Sequence, residues 1–374
     1  EAIGALEALT ADPAVKSDDL SLLGECYTRA ATIRHDAGDL QGWRDNNIAA
    51  ANVFERVVAL QPAGVAQMLR LAECWMNVGF AYRDLNQFEL AARSHARAHK
   101  LRRDVWELDR ESSSRRCELA EVCFHQIDVY RLYNADAVPG ILREVDQLLT
   151  PLAASTFSDQ RIALQVSRAF FRWGQIMKTE NSAAAVEKFD VTQRVLDDYL
   201  QRDPNSRQAS WHLADAHSER AWIADSQGRH AEAIRHWDRA VDLAPDASQL
   251  LNCRVQRALS LIRYSDRGRA TQELEALLSE PALSAAELVF LARNAAESIV
   301  GLRNAPALSG VSRVESSNRI AELAVGLLGK AVELGYLRDH RADDLIAENP
   351  MFESLRMRDD FIAVLEQLEY PKPK

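Results

Sequence analysis

The chain repeats itself, and that constrains its fold more than any other feature. The clearest unit is Trp75, Val78-Gly79, Tyr82, Asn86, Phe88, Ala91, His95 and Ala98. A second copy runs Ala221, Ala224, Gly228, Ala233, Trp237, Ala240 and Pro245, with Arg220 where the pattern has Leu. Fainter copies flank these. Tyr27, Ala30-Ala31 and Gly38 lead, after an insertion, to Ala50, Phe54 and Pro62; Trp173-Gly174, Met177, Val186 and Pro204 mark another; Ala258, Tyr264 and Gly268 mark a third. Arg115 to Leu152 reads as a helix pair joined through 134–140. Small residues let two helices approach closely and aromatics fill the gap to the neighbouring pair. One pair cannot bury its own apolar face, so pairs stack. Proline cannot continue a helix, so Pro62, Pro204 and Pro245 end second helices, whereas Arg103 stands at that place in the clearest copy. Pro204 and Pro245 are further apart than a minimal unit of about 34 residues. Either the helices are extended or a linker such as Asp203-Pro-Asn-Ser206 intervenes.

These spacings resemble the tetratricopeptide repeat, two antiparallel helices per unit. The expected fold is all-α, a tetratricopeptide-like right-handed superhelix of five to seven antiparallel helix pairs with a helical C-terminal cap. Residues 1–282 are expected to form the array. Residues 283–369 are expected to hold a terminal helix pair, with a loop inserted at 303–317 where the sequence is polar with Pro306 and Gly310, and then the cap. Leu345, Phe352, Leu355, Phe361 and Leu365 are the apolar residues available to the cap, and 370–374 reads as a disordered tail.

Composition excludes several classes. The formal net charge is −10 and no long basic run occurs, so the electrostatic footprint of a nucleic-acid binder is missing. Arg102-Arg103 and Arg115-Arg116 read as solvated helix faces. The cysteines, Cys26, Cys74, Cys117, Cys123 and Cys253, are odd in number and widely spaced, which reads as core residues rather than a disulfide framework or zinc knuckle. No apolar run approaches the roughly 18 residues of a membrane span, since Lys330 and Glu333 break the stretch 324–337. The chain begins at Glu1 within an expected helix and without a signal peptide, so it is expected to be a soluble, cytoplasmic segment of a longer protein.

No catalytic constellation emerges. His95 and His99 are four apart on a helix, a spacing that can hold a metal, but no third ligand is evident and His95 fills an aromatic position of the repeat. His212 and His217, five apart, diverge on a helix. There is no glycine-rich phosphate loop, no Gly-x-Ser-x-Gly, and no nucleophile, base and orienter that argue together. No catalytic residue, cofactor or metal is expected.

Two stretches carry a narrower resemblance. One is Gln193 to Asp246, with Asp203-Pro-Asn205 and the run 226–243; the other is Gly268 to Leu365, with 276–286, 328–336 and 350–361. Together they resemble the C-terminal tetratricopeptide region of serine/threonine protein kinases from planctomycete-type bacteria. The resemblance implies a kinase domain upstream and a parent with a membrane anchor. The kinase motifs themselves are absent here: no Gly-x-Gly-x-x-Gly precedes a Val-Ala-x-Lys, no His-Arg-Asp or Asp-Phe-Gly occurs, and Arg34-His35-Asp36 scrambles the catalytic-loop order.

In tetratricopeptide arrays first helices line the concave face. The lining positions are Glu73, Met76, Phe80 and Arg83 in one copy, Arg168, Phe171, Gln175 and Lys178 in another, and Asp215, Ser218, Trp222 and Asp225 in a third. Phe80 and Trp222 occupy equivalent places, where the carboxylate clamp of some tetratricopeptide domains has Asn, so that clamp is not supported. The expected function is a non-catalytic scaffold that binds a protein or peptide partner in this groove, with no nucleic acid as partner and no direct insertion of this segment into a membrane. A self-association module making a homodimer is the alternative, and an unrecognised enzyme a remote one.

Overall fold

A computed structural model describes residues 2–10, 16–61, 64–264, 266–303, 310–335 and 350–369. No strand occurs among the described residues. Contacts divide the chain into two compact units, Glu1–Tyr199 and Leu200–Lys374. The division falls inside the span 1–282 expected to be one array.

The first unit contains α1 (Ala2–Thr10), α2 (Ser17–Asp36), α3 (Leu40–Leu60), α4 (Val65–Asp84), α5 (Phe88–Glu107), α6 (Ser113–Tyr133), α7 (Val138–Leu149), α8 (Gln160–Met177) and α9 (Ser182–Leu200), whose last residue lies across the division. Tight turns fold α2 on α3 and α4 on α5 as antiparallel pairs. Each turn needs one left-handed residue, supplied by Gly38 at φ 74° and Asn86 at φ 59°. Gly228, at φ 71°, does the same between the first two helices of the second unit. No loop is inserted after Gly38. Helix α3 starts at Leu40, so the extra residues lengthen the helices instead. Side-chain caps set several starts: Asp39 accepts from the Gly42 amide at 2.8 Å, Asp159 from Arg161 at 2.8 Å and Ser112 from Arg115 at 3.3 Å. Without a proline at Arg103, α5 continues to Glu107.

One packing device recurs at the helix crossings. A Cβ added to Gly24 would come 2.7 Å from the Phe54 ring, one on Gly79 would come 2.1 Å from the His95 ring, and one on Gly174 would come 2.7 Å from the Phe189 ring. Each first helix thus presents a bare backbone to a ring from its second helix. In the second unit Ala221 takes the glycine's place and packs in one cluster with Trp237.

The second unit contains α10 (Arg207–Ser226), α11 (His230–Leu243), α12 (Ala247–Tyr264), α13 (Arg267–Leu278), α14 (Ala285–Arg303), α15 (Gly310–Glu333), a 3-10 helix at Pro350–Leu355 and α16 (Asp359–Glu369). Residues 201–206 link α9 to α10, with Ser206 capping α10. The loop expected at 303–317 is corrected: Arg303 ends α14, and α15 is already helical from Gly310 and runs on into the buried Ile320 and Ala321. Residues 304–309 lie outside the described residues, as do Tyr336, Leu345 and the tail 370–374. The expected cap is present. Phe352, Leu355 and Phe361 are fully buried in one core with Leu288, Ile299 and Leu328, and Leu365 packs against it. The Phe352 and Phe361 rings lie 5.9 Å apart, and Ser354 donates to the Ala296 carbonyl at 2.8 Å.

Candidate interaction faces

In the first unit, α4, α5, α6 and α8 enclose a cleft of about 410 Å³. Its floor is Met76, Cys117, Val122 and Ala169; its rim carries Arg102, Glu118, Glu121 and Arg172. Arg102 donates to Glu118 at 2.6 Å, and Arg172 pairs with Asp128. His125 lies 3.2 Å from Glu121. Burial alone raises a carboxyl group, but His125, Arg172 and Arg168 outweigh it and hold Glu121 below the ordinary carboxylate range. The cleft is therefore apolar below and charged, with both signs, at its mouth.

Two of the residues expected to line a groove, Met76 and Arg168, meet in this cleft although they come from different copies. Glu73 and Arg168 are exposed. Phe80 is half-buried and does not stand free: its ring meets those of His95 at 5.4 Å and His125 at 4.7 Å, and the Arg83 guanidinium lies 5.5 Å from it. Phe171 packs edge-on to Phe189 at 5.6 Å. Gln175 on the same helix and Lys178 at its C-terminal cap are half-buried. The sequence pattern missed Cys117, Glu118, Glu121 and Val122, because α6 carries no glycine landmark from which its inner positions could be counted.

In the second unit the signal lies on α10. Trp211 and Trp222 are 40% and 43% exposed, unusual for so large an apolar surface. With Asp215 and Ser218 between them the spacing is four, three and four, so all four residues share one helix face. The repeat pattern marked Asp215, Ser218 and Trp222 but not Trp211, which precedes the first lining position by a turn. Trp222 rests edge-on against the buried Trp237, ring centroids 6.0 Å apart. Asp215 accepts from Gln249 at 2.8 Å, and burial raises its carboxyl to about 6.

Asp225 does not line an open face. Its side chain is 5% exposed; it accepts from Ser260 and lies 2.9 Å from the His230 ring nitrogen. It ties α10 to α11 and α12. Arg220, at the position expected for Leu, finds Glu232 at 3.5 Å, and burial lowers its pKa. His217 does not join His212; its Nδ1 meets Nδ1 of His236 at 3.0 Å, and burial lowers these two rings to about 3 and about 4.

A family model described as "Tetratricopeptide repeat" matches residues 214–247, the second half of α10, all of α11 and the turn between them. The fold is all-α and tetratricopeptide-like. No curated protein sequence matches the chain. Among solved structures, the chain is similar to a tetratricopeptide repeat protein from Parabacteroides merdae, at 12% identity over 93% of this chain and 99% of the other, TM-score 0.38. It is also similar to the S. pombe nuclear import adaptor Nro1, at 10% identity over 94% and 99% of the two chains, TM-score 0.47. A third is the quorum sensor NprR from B. thuringiensis, at 15% identity over 82% and 88%, TM-score 0.37. No helix among the described residues is long and apolar enough to cross a membrane.

Proposed function

We propose that the chain is a binding scaffold whose tetratricopeptide-like first helices hold a polypeptide partner. The observation that carries this is the α10 face with Trp211 and Trp222. The buried clusters of this unit include Trp237 but neither of these two tryptophans. Exposed aromatics grouped on one helix face are what interfaces use as anchors. The mixed-charge cleft over Met76 and Val122 in the first unit offers a second place for an extended segment. On this reading Glu73, Arg83, Gln175, Lys178 and Ser218 are peripheral contacts around these two places.

A finer reading rests on the resemblance of 193–246 and 268–365 to kinase-associated repeats: the scaffold is the docking region of a bacterial serine/threonine kinase. The gene's full coding sequence tests it, since kinase motifs would stand upstream of Glu1. The scaffold reading is tested by comparing what wild type, Trp211→Ala and Trp222→Ala retain from native lysate. Loss of one common partner by both folded variants supports it. Equal recovery by all three proteins contradicts it, and a concentration-dependent dimer disrupted by the same substitutions would replace it with self-association.

A further inference from the structure

The first unit also gathers three metal-type donors, which the sequence spacing does not reveal. His99 on α5, Cys123 on α6 and Glu144 on α7 come from successive helices, yet their donor atoms all lie within 4.8 Å of one another. His99 Nε2 is 3.0 Å from Glu144 Oε1. Cys123 is wholly buried, whereas the His99 and Glu144 side chains are 15% and 23% exposed, so the cluster is open on one side only. There a surface cleft of about 350 Å³, lined by Arg103, Trp106, Gly140, Arg143 and Gln147, reaches Glu144 itself.

Imidazole nitrogen, thiolate sulfur and carboxylate oxygen are the donors that zinc and similar borderline-soft ions take. Around a tetrahedral zinc, with bonds of about 2.0–2.3 Å, such donors stand about 3.3–3.6 Å apart. The donors, all within 4.8 Å of one another, would need side-chain shifts of about 1 Å to reach that separation. We propose that His99, Cys123 and Glu144 bind one zinc-type divalent cation, with the fourth position facing the cleft. Arg103 holds the same Glu144 oxygen that faces His99, so binding the ion would require the carboxylate to turn its second oxygen inward or to share that one. On binding, the ion replaces the Cys123 thiol proton, which passes to the buffer. The bound ion then clips α5, α6 and α7 together.

The test uses the full chain, stripped with a chelator and titrated with cobalt(II) and then zinc(II). The expected result is one equivalent of cobalt giving a tetrahedral visible spectrum with a thiolate charge-transfer band, displaced by zinc. Cys123→Ala should lose the charge-transfer band. His99→Ala and Glu144→Gln should each weaken zinc binding more than about tenfold by calorimetry, with helicity retained. His99 and Glu144 reach the surface, so their variants answer the question even if Cys123→Ala does not fold. The absence of saturable binding at one equivalent would overturn the site, as would binding that His99→Ala and Glu144→Gln leave unchanged; the cluster is then a histidine–carboxylate–arginine ion group over a core cysteine.

Discussion

His95 holds the place that Phe54, Phe189 and Trp237 hold in other helix pairs, against the bare backbone of Gly79. It is wholly buried, and neither ring nitrogen has a hydrogen-bond partner of good geometry. Burial first, and then the His125 and Arg83 charges, lower it from 6.5 to about 3. The ring is therefore neutral when folded but takes a proton when unfolded below about 6.5. The unfolded state then binds more protons, so stability is lost as pH falls from about 6.5 toward about 3. His217 and His236 act with the same sign; Asp215, raised by burial to about 6, acts oppositely at the acid end. His95→Phe isolates one part of this. Urea midpoints at several pH values should show the variant less sensitive to acid and more stable at neutral pH, by about 1–3 kcal/mol from relieving unpaired nitrogens. An unchanged pH slope would contradict the assignment. Gly79→Ala probes the same contact from the other side. Its methyl would meet the His95 ring, so overpacking of about 1–3 kcal/mol should exceed the helix-propensity gain of about 1 kcal/mol. Gly268→Ala, where a Cβ meets nothing within 4 Å, should be neutral or slightly stabilising in the same unfolding assay.

At the scale of elements, the cap is the part most open to challenge. Phe352, Leu355 and Phe361 arrive from a 3-10 helix and α16 and complete the core over α14 and α15. A terminal pair left uncovered would expose its apolar face. Phe352→Ala should cost about 3–5 kcal/mol and lower the melting temperature, whereas Met357→Ala, at a side chain 92% exposed, should not. Equal melting of both variants would remove the cap from the account. The helix pairs and this cap were legible in the sequence because both rest on local signals: small residues facing rings at fixed spacing, and an apolar pattern near the end. The boundaries of α15 were not. Gly310 and the serines of 303–317 carry loop composition, yet the helix that packs Ile320, Ala321 and Ala324 into the core extends back to Gly310, with Val314 exposed on it.

The candidate faces show the same division at the scale of the whole chain. Repeat spacing places Trp222 outside the packing pattern, and it is 43% exposed. Phe80 holds the equivalent place but is half-buried, because His95 and His125 lie beside it. Spacing alone cannot report which ring comes from the next helix. The His99, Cys123 and Glu144 cluster was invisible for the same reason, since its members meet only through the stacking of α5, α6 and α7. The division of the chain at Tyr199 and Leu200 falls just before the linker that the sequence marked at Asp203-Pro-Asn-Ser206 only as one of two options. Whether the proposed α10 face serves a partner rather than the fold is decided by measuring unfolding free energy and partner retention together for Trp222→Ala and Trp237→Ala. The account predicts that Trp222→Ala keeps wild-type stability to within about 1 kcal/mol while its partner affinity falls roughly thirtyfold, the effect of losing an anchor worth about 2 kcal/mol. Trp237→Ala, removing a core ring, should instead cost about 3–5 kcal/mol of stability. A Trp222→Ala protein that loses several kcal/mol of stability, or that holds its partner as tightly as wild type, would contradict the claim.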